Sequence, residues 1–278
     1  MEFLTRNASI RDRVGIWHAA GGRVALVPTA GSLHKGHMSL VARAQEQADH
    51  VIVSIFANPQ DGQVTTLEAD RELLQKIGTS VVFVPPQQEI YPMGRELGVS
   101  INVPTLTSIL EGKFRPGHYA DKCVVLTKLF DLIQPNVVLF GERDFQQLVI
   151  MRRLVDDLFL ATEVIGCATW RDADGLAIAK ANRLMTIDER ALAPRLYATL
   201  KQSAAEIDGG VRDYARVERQ GMQMLLQYGF EPEYFAIRQA NDLGQSLPAS
   251  RDLVILSAVR LNAHRLIDNL RVRVIDRY

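Results

Sequence analysis

A doubly wound α/β sheet of parallel strands, with a smaller α+β domain at the C-terminus, is the fold class this sequence predicts. Three observations predict it. Short β-rich runs alternate with helical patterns through the first 175 residues. Most of these runs are continuously apolar, as strands buried on both faces of a parallel sheet must be. Three polar turns each follow directly on such a run, and ligands of open α/β sheets bind at the carboxyl ends of strands.

Taken in order, the first expected strand is 24–27, which runs into the Pro/Gly-punctuated turn Pro28-Thr29-Ala30-Gly31 and then a helical pattern over 38–47. Residues 51–56 form the second expected strand, ending at Asn58-Pro59, and 67–77 read as helix. Strands are expected at 81–84 and 99–103, then a helix over 122–133. The run 137–140 enters the polar turn Gly141-Glu142-Arg143-Asp144, after which 145–158 is helical and 164–168 is a strand. Beyond residue 175 the pattern changes to two helices, 188–206 and 211–228, parted by Asp208-Gly209-Gly210. Strand-like runs then follow at 234–238, 253–260, 265–268 and 272–275. Helices followed by strands predict a separate α+β unit, so the expected domains are 1–175 and 176–278.

A chain of 278 residues, 47% hydrophobic, suffices for two buried cores. Lys plus Arg balance Asp plus Glu at 32 each, and zero net charge argues against broad nucleic-acid binding. Cys123 and Cys167 supply neither a disulfide framework nor metal-site spacing. The N-terminus lacks a signal-peptide plan and no apolar run reaches membrane-spanning length, so a cytoplasmic protein without a membrane partner is expected.

The stretch Thr29-Ala30-Gly31-Ser32-Leu33-His34-Lys35-Gly36-His37 carries the most chemistry. Two histidines three residues apart at a helix start project to the same side, beside backbone N–H groups left without intrahelical acceptors. Such a start is a natural phosphate site. A metal would need a third ligand at useful spacing, which the neighbouring sequence does not supply, so no metal site made by protein side chains alone is expected.

Strand, Gly-containing turn, His-x-Gly-His and helix together resemble the nucleotide-binding signature of the HIGH-type nucleotidyltransferases. Segments 23–40, 51–59, 89–92, 110–118, 140–147, 174–177 and 266–269 further resemble the pantothenate synthetase (pantoate–β-alanine ligase) family, over nearly the whole chain. Phe140-Gly141-Glu142-Arg143-Asp144-Phe145-Gln146-Gln147 and Leu110-Glu111-Gly112-Lys113-Phe114-Arg115-Pro116-Gly117-His118 are its most specific strings. The resemblance implies a Rossmann-like N-terminal domain, a homodimer, and ATP with Mg2+. It also implies two-step ligation, in which a carboxylic acid is converted to an acyl adenylate and an amine then displaces AMP. By the same resemblance His34 and His37 are catalytic and, with Gly31, Gly141, Arg143, Asp144 and Lys180, bind ATP. Pro28, Ala30, Asn58, Asp61 and Gln147 line the acid pocket.

Departures from the family cluster on that pocket. Ala30 stands where the family has methionine, Asp61 where it has an acid-binding glutamine, and Ala120 where it has arginine. The segment between Asn58-Pro59 and Thr66 is about eight residues shorter than the family's, and the phosphate-holding Ser-Ser-Arg-Asn reads Ala179-Lys180-Ala181-Asn182. Arg143 replaces lysine and keeps the charge, with different geometry. The expected activity is therefore acid–amine ligation with an acid other than pantoate. Authentic pantoate–β-alanine ligation and a catalytically silent nucleotide-binding homologue are the alternatives. The family match at Arg265-Leu266-Ile267-Asp268-Asn269 argues against a dinucleotide-forming transferase. Bland readings stand beside the sharp ones: Asp144 also suits a helix N-cap, Asp61 a turn, and Lys180 a solvated surface.

Overall fold

The computed structural model describes residues 1–56 and 66–274. The chain divides into two compact units. The first comprises 1–107, 117–141 and 150–168; the second comprises 108–116, 142–149 and 169–278. Two short stretches inside residues 1–175 thus belong with the C-terminal unit.

The first unit begins with β1 (Glu2–Leu4), α1 (Asn7–Ala19), β2 (Val24–Thr29), α2 (Lys35–Gln45) and β3 (His50–Ile55). It continues with α3 (Leu67–Lys76), β4 (Val81–Phe83), α4 (Gln87–Ile90), and, after α5 (Glu111–Phe114) of the second unit, α6 (His118–Ile133) and β5 (Val137–Gly141). The 3-10 turn Glu142–Asp144 leads into α7 (Phe145–Asp157), and β6 (Glu163–Cys167) closes the sheet. Six parallel strands run in the order β1-β4-β3-β2-β5-β6. The chain winds outward from β2 through β3 to β4, then returns to place β5 on the other side of β2. The order reverses between β2 and β5, which is where a doubly wound sheet opens a crevice at its carboxyl edge. Ala25, Val27, Val51, Val53, Val82, Val137 and Leu139 pack with Leu40, Val41 and Ala44 of α2 in the core of this unit.

The second unit holds a 3-10 turn, Lys180–Leu184, then α8 (Ile187–Leu192), α9 (Arg195–Asp208), α10 (Tyr214–Gln227), β7 (Glu231–Gln239), β8 (Asp252–Leu261) and β9 (His264–Arg273). The three strands form an antiparallel sheet with β8 central. Leu196, Leu200, Val217 and Leu225 of the helices pack on Phe235, Ile237, Leu253, Ile255 and Val259. Gly221 brings α10 close, since a Cβ there would lie 2.5 Å from the Phe235 ring.

Several expected elements change. Residues 99–103 form no strand. Their β-forming side chains mark a propensity that needs a pairing neighbour, and among the described residues none is offered. The sheet instead uses β1, too short to show a period, beside a helix α1 that the sequence reading missed. The expected helix 188–206 is two helices parted by Pro194, which cannot continue the first. The expected strands 265–268 and 272–275 fall, up to Arg273, on one strand, β9, because pairing with β8 runs unbroken from Arg273 to His264; Ile275 lies outside the described residues.

Candidate functional site

In the first unit the turn after β2 is built by one glycine and one buried acid. Thr29 ends the strand, and its hydroxyl donates to the Ser54 carbonyl at 2.9 Å. The chain then reverses through Gly31 at φ 79° and Ser32 at φ 54°. The left-handed region is free of steric cost only for the glycine. Asp70 of α3 is 1% exposed. Its Oδ2 accepts from the Ser32 N–H and its Oδ1 from the Leu33 N–H, both at 2.7 Å. One carboxylate thus fixes two consecutive amides immediately before His34, an arrangement whose charge-assisted bonds are stronger than neutral ones.

His34 is the N-cap of α2, extended at φ −144° and ψ 177°. Its N–H donates to Nδ1 of His37 at 3.3 Å, and the two ring centroids are 4.0 Å apart with a 35° tilt. Because His37 Nδ1 accepts this bond, the ring's proton is on Nε2. The helix begins at Lys35, so His37 is in its first turn, where the helix dipole favours an anion, while the His37 N–H itself donates to the His34 carbonyl at 2.8 Å. Helix α2 packs on β2 and β5, so this turn and Gly141, the last residue of β5, lie at the switch in strand order. Pro28 is paired with Ser54 in the sheet, and Ala30 follows Thr29 at the strand end. Asn58 and Asp61 lie outside the described residues.

A separate open pocket of about 660 Å³ in the first unit is lined by Met93, Arg95, Leu97, Val99, Ala120 and Asp121, among others. Arg95 and Asp121 form an ion pair in its wall. Gly31, His34 and His37 do not line it. Chemistry and strand topology, rather than cavity size, therefore mark the candidate site.

In the second unit, Asp144 caps α7: its Oδ1 accepts the Gln147 N–H at 3.0 Å. The capping role expected as the bland reading is thus present, and it is compatible with binding a ligand. Burial lowers the pKa of Arg143, while Asp144, Asp268 and Glu111 oppose that shift. The guanidinium stays charged among three acids. Gln147 is half-buried in the first turn of α7. Lys180 begins the Lys180–Leu184 turn, which Asn182 steadies by donating from Nδ2 to the Ala177 carbonyl at 2.9 Å.

The positioning residues of this unit escaped the sequence reading. Glu111, 3% exposed, receives both ends of the Arg265 guanidinium at 2.7 and 2.5 Å, and the Tyr234 hydroxyl at 3.0 Å. Burial alone would lower the pKa of Arg265, but Glu111 and Glu233 overcome this and raise it. Gln146, 2% exposed, clamps the peptide on either side of Leu110: it accepts from the Glu111 N–H at 3.0 Å and donates to the Ile109 carbonyl at 2.8 Å. Leu110 sits at φ 46° and ψ −119°, a conformation that must be imposed from outside. Asp268 pairs with Arg171 at 2.6 and 2.8 Å, although burial still raises its pKa. One signal was legible in hindsight. Asp70 falls between Leu67 and Leu74 on the apolar stripe of α3, where an acid must find partners.

Among the described residues, no group of three or more His, Cys, Asp or Glu side chains could hold a metal ion, and no helix is long and apolar enough to cross a membrane.

Comparison with known proteins matches residues 2–271 to the family model described as pantoate–β-alanine ligase. A pantothenate synthetase from Nitrosococcus oceani is 44% identical over 99% of both chains. One from Halorhodospira halophila is 41% identical over 99% of both. Among solved structures, a pantoate–β-alanine ligase from Thermus thermophilus superposes with a TM-score of 0.88 at 35% identity, over 97% of this chain and 99% of that one. A pantoate–β-alanine ligase from Francisella tularensis, solved with β-γ ATP and β-alanine, superposes with a TM-score of 0.78 at 29% identity, over 97% of each chain.

Proposed function

Belonging to the pantoate–β-alanine ligase family, this chain is an ATP-dependent ligase by kind, and from that premise we propose that it joins a carboxylic acid to an amine through an acyl adenylate. The observation that carries the reading is the His34/His37 pair at the start of α2, with the two rings 4.0 Å apart and His37 Nδ1 accepting the His34 N–H. A free carboxylate is a poor acyl donor. Its oxygen attacks the α-phosphorus of ATP, the bond to the β-phosphate breaks, and pyrophosphate leaves. The amine then attacks the acyl carbon, AMP departs with the former carboxylate oxygen, and the amine sheds a proton. Histidine N–H donors and helix-start amides aimed at phosphate oxygens stabilise the charge that develops in the first step. Gly31 gives the turn its close backbone approach. Gly141, Arg143, Asp144 and Lys180 are assigned to ATP, and Pro28, Ala30, Asn58, Asp61 and Gln147 to the acid, on their match to the family strings. Mg2+ enters with the nucleotide phosphates, which suits an ion that keeps much of its coordination outside protein cages. The protein acts as a cytoplasmic homodimer.

The acid is one other than pantoate. Ala30, Asp61, Ala120 and the Ala179-Lys180-Ala181 string replace the family's methionine, glutamine, arginine and Ser-Ser-Arg. Loss of one partner of a buried polar pair costs about 1–3 kcal/mol, and several uncompensated losses among the acid-binding and phosphate-binding residues would cripple pantoate turnover. Pantoate itself is the second reading, favoured by 44% identity to an enzyme named for it. Pyrophosphate exchange over a panel of acids decides. Exchange with acids other than pantoate supports the first reading, exchange with pantoate alone supports the second, and nucleotide binding with no exchange leaves only a silent homologue.

A further inference from the structure

The string Arg265-Leu266-Ile267-Asp268-Asn269 matches the family yet has no part in the proposed chemistry. Its last residue lies on β9 and is 7% exposed. From one nitrogen, Asn269 Nδ2 donates to the Glu142 carbonyl at 2.7 Å and to the Arg143 carbonyl at 3.0 Å. These are two consecutive carbonyls of the 3-10 turn that carries Arg143 and Asp144. The neighbouring N–H that helical geometry would bring towards the Arg143 carbonyl, that of Gln147, serves the Asp144 cap. The turn therefore takes donors from a residue 126 positions away in sequence.

Asn269 is itself fixed. Its N–H donates to Asp268 Oδ1 at 2.8 Å, and its carbonyl accepts from Arg171 at 3.3 Å. Asp268 in turn holds Arg171 through both oxygens. The amide nitrogen supplies two protons, one for each carbonyl. Aspartate would set acceptors against two carbonyls, and leucine would remove both donors.

We infer that Asn269 is a positioning residue for nucleotide binding, orienting Arg143 and Asp144 by holding the carbonyls of their turn. The inference rests on the ligase reading, and its test separates the two. Binding of a non-hydrolysable ATP analogue with Mg2+ is measured by calorimetry for the wild type, Asn269→Leu, Asn269→Ser and Arg271→Ala. The last removes Arg271 of the same strand from its exposed pair with Asp252 of β8 and controls for strand stability. The expected result is nucleotide binding weakened about tenfold or more in Asn269→Leu and by less in Asn269→Ser, which keeps one donor. Arg271→Ala should lower the melting temperature without changing the affinity. In turnover, the KM for ATP should rise more than kcat falls. A folded Asn269→Leu that binds the analogue as the wild type does overturns the inference. If that variant does not fold, unchanged affinity in Asn269→Ser overturns it equally. A wild type that fails to bind the analogue overturns the ligase reading and this inference with it.

Discussion

In the first unit, a single carboxylate from the next helix, Asp70, grips the turn that leads to the histidines through two backbone amides. In the second, three residues of one strand hold segments distant in sequence: Arg265 holds Glu111, Asp268 holds Arg171, and Asn269 holds the carbonyls of Glu142 and Arg143. The first arrangement depends on one acid, 38 positions from the turn it holds. The second is spread over a network in which both partners of each pair are buried or half-buried. The two should fail differently. Removing Asp70 frees a turn, whereas removing Arg265 or Arg171 strands a buried carboxylate.

The largest effect is expected from Asp70→Ala. It removes two charge-assisted bonds and should cost about 3–5 kcal/mol in urea denaturation, with pyrophosphate exchange lost. A folded and active variant would show that Gly31 and the sheet hold the turn unaided. Arg265→Met comes next, because Glu111 keeps a buried charge stripped of its two-pronged guanidinium partner. A loss of about 3 kcal/mol is expected, recovered in large part by the double change Glu111→Leu with Arg265→Met. If the double variant is as unstable as the single, the ion pair itself rather than the stranded charge is what stabilises the unit.

His37→Ala tests chemistry without the frame. Exchange should fall by about 10²–10³, while stability changes by less than about 1 kcal/mol. A large loss of stability would make the histidine a structural cap. The smallest effect is a pH dependence. Burial alone would raise the pKa of Glu233, but Arg265 and then Arg260 hold it below the ordinary 4.5. Its stabilising contribution is therefore complete above pH 4.5 and is lost as pH falls through the lower folded value. The melting temperature of Glu233→Gln should accordingly change less than that of the wild type between pH 5 and pH 3, by an amount worth under about 1 kcal/mol. Equal slopes would show that the contacts with Arg265 and Arg260 contribute nothing.

The first unit was legible because its information is local. Parallel strands announce themselves as apolar runs, and the glycine, the histidine pair and the helix that follow lie within a dozen residues. Even there, residues 99–103 misled, since β-forming side chains do not say whether a neighbour exists to pair with. The second unit gave up its helices and strands but not its wiring. Nothing near Glu111 in sequence names Arg265, and nothing near Arg143 names Asn269, because pairings of that separation exist only once the chain has folded. The family strings preserved both ends of each pair without disclosing that they meet.

Labelling both carboxylate oxygens of an acid that supports exchange with oxygen-18, then analysing the nucleotide and phosphate products, tests the central claim most directly. Attack of the carboxylate on the α-phosphorus predicts that one labelled oxygen appears in AMP and none in pyrophosphate. Label in inorganic phosphate, with ADP as the nucleotide product, would contradict the acyl-adenylate route and the role given to His34 and His37.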